Sequence, residues 1–390
     1  MQSQKQYIDN LTPLRGLAAL MIVVFHFEEL ITRFVKPENS MIIRKSYLMV
    51  DLFFIMSGFV MLHVYGEKFQ QNLQSGQFFK FIRARFARLY PLHLFTLLLI
   101  VGLFYGTHSP ADPVQNPAAI PTHLLLLQSF GIHSIFTWNV PSWSISAEWW
   151  CYLLFPLFVI MISKYKNSIY LLLLVSALLY VSILYFLPRV NFFAPSLPAP
   201  HNLDVTYDYG FLRGLAGFMA GMVSYTIYQQ QRLGVFLGSD ITCIGSIILT
   251  LVAMHIGVND IIYIPIFMLL VITIAANKKI IHKIFLLKPL QYLGTISYSI
   301  YMVHTILIFA IAVPFVQKMG YVYNGPQSLT MPPWAGFGTC LLFLLSVIAV
   351  SSITYFLIEK PCRIWINGKN KNAVATSTIT QSGSYISNPN

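Results

Sequence analysis

The chain has 390 residues, 56% of them hydrophobic and only 10% charged, with a mean hydropathy of +0.65. No soluble domain of this length consumes so many apolar runs, so the composition excludes a single soluble core and points to a polytopic membrane protein. The net charge of +12 is not gathered into one patch, which argues against a nucleic-acid surface; the basic residues lie between apolar runs, where they set topology and meet anionic lipid or an anionic cofactor.

A hydrocarbon core about 30 Å thick needs ~20 apolar helical residues. Ten stretches qualify, at about 13–33, 46–66, 88–107, 145–163, 169–187, 210–228, 236–255, 260–276, 294–316 and 335–358. The expected fold is therefore all-α, a polytopic transmembrane helix bundle of about ten spans. The apolar piece near 120–132 is shorter and reads as re-entrant or interfacial. With the N-terminus placed inside, 17 of the 25 Lys and Arg fall in inside segments and six in outside ones, which predicts that both termini are cytoplasmic. The basic first outer loop, with Arg33, Lys36, Arg44 and Lys45, is either a substrate contact or an exception to that rule. The first span lacks a small-residue cleavage site and reads as a retained signal anchor. Residues 1–365 form the expected membrane domain, and the Ser-, Thr- and Asn-rich segment 366–390 an expected disordered cytoplasmic tail. Cys151, Cys243, Cys340 and Cys362 have neither zinc nor disulfide spacing and read as small packing residues; no metal is expected.

Polar residues within the spans carry the functional signal. In the first, LRGLAALMIVVFHF holds Arg15 and His26, eleven residues apart. At about 100° and 1.5 Å per residue they share one helix face, roughly 16 Å apart along the axis. Singly, Arg15 reads as a snorkelling anchor and His26 as an interhelical hydrogen bond; together they suggest an anion site leading to a reactive imidazole. The second span holds Asp51 and Ser57-Gly58. FKFIRARFARLYPLH sets Arg83, Arg85 and Arg88 before the third span, as positive-inside charge or as a phosphate clamp, since Arg85 and Arg88 share a face and Arg grips phosphate bidentately. Pro91 is expected near the start of that helix.

NVPSWSISAEWWCYLLFP leads into the fourth span from outside. Its Trp138, Trp143, Trp149 and Trp150 form either an aromatic belt or a sugar platform, with Ser144, Ser146 and Glu148 as polar partners. Glu148 needs a partner in His26, an Arg or a substrate hydroxyl. GTISYSIYMVHTILI, in the ninth span, puts Tyr298, Tyr301 and His304 where their polar tips either line a cavity or bond to neighbours. Arg213, in the sixth span, is a further buried charge in need of a partner.

These motifs, in this order, resemble the acyltransferase-3 family of integral membrane acyltransferases over residues 10–363. The likeness rests on Arg15 with His26, Ser57-Gly58-Phe59, Arg85 and Arg88 ahead of Tyr90-Pro91, Ser142 to Glu148, Ser297 to His304, and Glu359-Lys360-Pro361; Ile145 and Met302 stand where the family has Leu. The resemblance implies transfer of an acyl group, usually acetyl, from cytoplasmic acyl-CoA to a hydroxyl of a cell-envelope carbohydrate such as O-antigen or exopolysaccharide. Some members carry an appended extracytoplasmic hydrolase-like domain. This chain is expected to lack one, so that either the membrane domain itself or a separate polysaccharide-assembly partner completes the transfer.

On this reading Arg15, Arg85 and Arg88 hold acetyl-CoA. His26 is general base or acyl carrier, and Glu148 and Tyr301 complete the catalytic set, orienting the imidazole or stabilising the oxyanion. Ser57, Trp143, Ser144, Ser146, Tyr298 and His304 are expected at the substrate. The expected location is a bacterial inner membrane. The competing reading is a polysaccharide or lipid-linked sugar exporter with no acyl chemistry.

Overall fold

A computed structural model of the chain describes residues 8–70, 75–105, 113–187, 201–230, 236–321 and 331–368. The regular structure described there is helical. The helices, in chain order, are α1 (Leu11–Leu30), α2 (Met49–Phe69), α3 (Ser75–Tyr105), the short α4 (Ile120–Leu124), α5 (Trp143–Lys164), α6 (Ser168–Tyr185), α7 (Gly210–Tyr228), α8 (Asp240–Ile256), α9 (Tyr263–Ala276), α10 (Ile280–Phe285), α11 (Lys288–Thr295), α12 (Ser297–Leu307), α13 (Val313–Lys318), α14 (Pro333–Thr354) and α15 (Lys360–Asn367). Two π-helical turns, Ile308–Ala312 and Tyr355–Glu359, join α12 to α13 and α14 to α15.

Among the described residues, seven helical runs are long and apolar enough to cross a bilayer. The shorter α8 and α9, together with α7, occupy the remaining positions where the sequence predicts spans. Burial separates the centre of the bundle from its rim. The run Ser46–Phe69 is 72% buried, whereas Ser168–Tyr185 and Pro333–Asn367 are 33% and 28% buried and turn Leu, Ile and Phe outward, as lipid-facing helices do.

The central α2 packs most extensively against α7. Glycine makes that approach possible. A Cβ on Gly58 would lie 1.9 Å from the Phe218 carbonyl oxygen, and one on Gly221 would lie 2.0 Å from that of Ile55, so the two backbones touch without side chains between them.

The structure departs from the sequence-based expectation at the third span. Pro91 lies inside α3, which begins sixteen residues earlier at Ser75, rather than near the helix start. The segment from Gln77 to Leu89 is rich in apolar and Arg residues that favour helix, and packing against α5 and α15 holds it in place despite the donor that proline lacks. Arg83, Arg85 and Arg88 thus lie well inside α3, and Arg85 and Arg88 share a helix face as the sequence predicts. At the chain's end Ile366 and Asn367 close α15, and the rest of the expected tail beyond Gly368 lies outside the described residues.

Candidate active site

A cavity of about 330 Å³ penetrates the bundle from the end that carries the start of α1. At that end it is lined by Ile8, just ahead of α1, Thr12 and Arg15 from α1, Tyr65 from α2, and Arg85 and Arg88 from α3. Its walls are apolar, with Val60, Met61 and Leu89 among them. Its far end reaches Phe53, Ser144 and Tyr301.

The cationic end is built by helix periodicity. Arg85 and Arg88 sit on one face of α3 and are half-buried, whereas Arg83 is exposed. Arg85 Nη2 donates to the Tyr65 hydroxyl at 2.9 Å, and its guanidinium carbon lies 5.1 Å from the Tyr65 ring centre and 5.8 Å from that of Tyr152. Its buried Nε has no hydrogen-bond partner among the described residues. The stacking holds the fork in place and leaves donor capacity for an anion. Arg15 Nη2 lies 3.5 Å from the Thr12 hydroxyl of its own helix. Arg88 and Arg15 both act electrostatically on Glu359, which accepts from the Ser299 hydroxyl at 2.9 Å and is held by the π-helical turn after α14.

Deeper in the cavity, Glu148 finds its partners on α2 and on its own helix. Ser57 Oγ donates to Glu148 Oε1 at 2.8 Å, and the Tyr152 hydroxyl donates to the same oxygen. Tyr298 donates to the Leu89 carbonyl at 2.6 Å. Tyr301 donates to the Pro141 carbonyl at 3.1 Å and accepts from Ser144 Oγ at 2.8 Å.

His26 and His304 lie beyond this floor and do not line the cavity. The Tyr301 ring stands between, 6.1 Å from Phe53 and 5.8 Å from His304 by ring centres. The two imidazoles meet, with His26 Nδ1 3.1 Å from His304 Nε2. His26 is half-buried and His304 fully buried. The imidazole of His26 is therefore held by His304 and by the Ile22 carbonyl, while Glu148 is engaged with Ser57 and Tyr152.

Of the residues expected at the site, Arg15, Arg85, Arg88, Ser57, Ser144, Glu148, Tyr298 and Tyr301 share the cavity. Trp143 and Ser146 are placed elsewhere. The Trp143 ring is buried 5.3 Å beneath the Arg213 guanidinium and packs on Phe54, while Ser146 bonds to the Leu126 carbonyl and to Ser129. The Ser146 hydroxyl is thus used inside the protein, and the Trp143 ring serves packing. Tyr65 and Tyr152 belong to the cavity and were not singled out from sequence. Tyr152 follows Glu148 by four residues, so helix periodicity already puts the two on one face.

The buried charges on the other side of the bundle are paired. Arg213 Nη2 lies 2.6 Å from Asp51 Oδ2, and the same nitrogen donates to the Tyr47 carbonyl at 3.1 Å. Nη1 donates to the Val205 carbonyl at 3.2 Å. In the basic segment between α1 and α2, Lys45 Nζ lies 2.6 Å from Asp260, whose other oxygen accepts from the Leu203 amide and the Tyr47 hydroxyl. That lysine anchors a loop.

The family model described as an acyltransferase domain matches residues 8–351. Protein 2 in the picA locus of Rhizobium radiobacter is 35% identical over 162 residues, covering 38% of this chain and 80% of that protein. The acyltransferase MdmB of Streptomyces mycarofaciens is 31% identical over 164 residues, 40% of each chain. The peptidoglycan O-acetyltransferase OatA of Listeria monocytogenes is 22% identical over 385 residues, 92% of this chain but 56% of that protein. The match thus spans less than two thirds of MdmB and OatA. No solved structure matches. The helix bundle and the match along nearly its whole length identify this chain as an integral membrane member of the acyltransferase-3 family.

Proposed function

We propose that the chain transfers an acyl group, acetyl being the simplest case, from cytoplasmic acyl-CoA to a hydroxyl of a cell-envelope carbohydrate. The observation that carries this reading is the arginine-lined cavity, apolar along its walls, that ends one aromatic layer short of a histidine pair. The phosphates of a CoA donor suit Arg85, with its unused buried Nε, and the neighbouring Arg15 and Arg88. The pantetheine arm suits the narrow apolar walls. Delivery of the thioester to His26 requires the Phe53–Tyr301 layer to part.

His26 is then the base. The acceptor hydroxyl gives its proton to the imidazole, its oxygen bonds to the thioester carbonyl carbon, and the carbon–sulfur bond breaks as the leaving CoA thiolate takes that proton from the imidazole. In the alternative route the imidazole nitrogen bonds to the carbonyl carbon as CoA leaves as its thiol with the imidazole proton, and the acceptor oxygen then takes the acyl group as its own proton returns to the imidazole. Tyr301, close to the pair, exchanges its Pro141 acceptor for the developing oxyanion. The acceptor class draws support from the similarity to OatA, a peptidoglycan O-acetyltransferase, and from the aromatic segment expected to face outward. A bacterial inner membrane and a separate polysaccharide-assembly partner fit the same reading.

Detergent-purified protein, labelled acetyl-CoA and a panel of envelope glycans test it. Wild type transfers label, His26→Ala binds CoA without transferring, and Arg85→Ala/Arg88→Ala loses CoA binding. Full transfer by His26→Ala removes the histidine from the chemistry. Failure of wild type to bind any acyl-CoA brings the exporter reading forward.

A further inference from the structure

We propose that His304 is a positioning residue for the reaction. It fixes the proton of His26 on Nδ1, presents the Nε2 lone pair to the acceptor hydroxyl, and shares the charge that develops when that lone pair is protonated. The proposal rests on the reading of His26 as the reactive imidazole.

Three contacts leave one arrangement of protons. A carbonyl oxygen only accepts. His304 Nδ1 lies 2.7 Å from the Tyr301 carbonyl, so Nδ1 carries the proton of that ring and Nε2 carries the lone pair. His26 Nδ1 lies 3.1 Å from the Ile22 carbonyl and 3.1 Å from His304 Nε2, so it donates to both. The remaining nitrogen, His26 Nε2, makes no hydrogen bond among the described residues and belongs to a half-buried side chain. The pair is thus chained head to tail, from the backbone of α12 through His304 to His26, with the free lone pair at the tip.

Neither anchor alone suffices. The Ile22 carbonyl is four residues before His26 in α1, where it already serves the helix ladder, and shares its acceptor capacity. His304 Nε2 is held by a ring with 0% exposure, fixed at its other nitrogen and packed 4.9 Å from the His26 ring centre. When the acceptor hydroxyl delivers its proton to His26 Nε2, the Nδ1–H bond to His304 becomes charge-assisted. The Nδ1 proton then shifts toward His304 Nε2 and returns as the departing CoA thiolate takes a proton from His26 Nε2. Protons are conserved over the cycle.

The experiment has two arms. In the kinetic arm, His304→Met lowers kcat about 100-fold, in the range for loss of a general base's support, while KM for acetyl-CoA stays within about twofold, because His304 does not line the donor cavity. His304→Gln, whose amide reaches the position of Nε2, recovers to within about tenfold of wild type; His304→Asn, whose amide reaches only Nδ1, does not. Should His304→Met fail to fold, the Gln–Asn comparison still decides. Asn equal to or better than Gln overturns the proposal, as does a rise in KM with kcat unchanged. In the second arm, nitrogen NMR of ¹⁵N-histidine-labelled protein reads the His26 tautomer without any turnover. Nδ1–H in wild type and a tautomer mixture in His304→Met support the proposal, and Nε2–H in wild type overturns it. Full transfer by His26→Ala would sink the underlying reading, whereas an inactive His26→Ala beside fully active His304 variants sinks this proposal alone.

Discussion

Replacing Arg213 with Met is expected to destabilise the bundle severely. The side chains of Arg213 and Asp51 are 1% and 0% exposed, and the guanidinium binds both carboxylate oxygens at 2.6 to 3.2 Å. Without Arg213, Asp51 keeps only the Tyr180 hydroxyl, at 3.2 Å, among these side-chain partners. The Tyr47 and Val205 carbonyls each lose the donor that Arg213 supplies. Breaking one half of a buried pair costs roughly 3–5 kcal/mol, most of it the penalty of an uncompensated charge. Replacing both halves with apolar residues costs far less, because no charge then stays behind. The assay is reversible unfolding of purified protein in mixed micelles, comparing Arg213→Met, Asp51→Leu and the double variant. The expected result is a double variant more stable than Arg213→Met by at least about 2 kcal/mol. A single variant within about 1 kcal/mol of wild type, or a double variant as unstable as the sum of the singles, would refute the reasoning.

Three further outcomes follow from the cavity and the packing around it. Glu148→Gln keeps the shape of the Ser57–Tyr152 contact but removes the charge that gathers those hydroxyls; transfer is expected to fall about 100-fold, with donor binding measured separately by calorimetry to show that the cavity is intact. Arg85→Lys replaces a fork stacked on Tyr65 with a point charge, so acetyl-CoA affinity should drop about tenfold with little change in the unfolding midpoint. Gly58→Ala drives a methyl group into the Phe218 carbonyl of α7; overpacking of about 1–3 kcal/mol should appear as a lower unfolding midpoint in detergent, and an unchanged midpoint would mean that α2 and α7 approach less closely than described.

Membrane spans are legible in sequence because the requirement they satisfy is local. A helix in lipid closes its own backbone hydrogen bonds and needs only length and apolar side chains. For that reason seven of the ten stretches predicted from hydropathy coincide with described helices long and apolar enough to cross, and the other three fall on α7, α8 and α9. The facing of Arg85 and Arg88, and the approximate axial spacing of Arg15 and His26, follow from helix periodicity alone. The extension of α3 through Pro91 was not legible, since local rules forbid what contacts with α5 and α15 maintain.

Partners were the larger gap. The sequence marked Arg213, Glu148 and His26 as polar groups in apolar surroundings that each had to be satisfied, but hydropathy and periodicity carry no information about which helix lies beside which. Asp51 meets Arg213 across 162 residues of chain, Ser57 meets Glu148 across 91, and His304 meets His26 across 278. Those pairings exist because α2 packs into the glycine face of α7 and also against α5, and α12 lies against α1. The sequence by itself determined that this chain is a membrane helix bundle with costly polar groups in its interior. The tertiary structure alone decided that Glu148 serves the cavity, that Arg213 serves the fold, and that His26 is held by a second histidine, because burial obliges every polar group to find a partner but only helix packing chooses which one it finds.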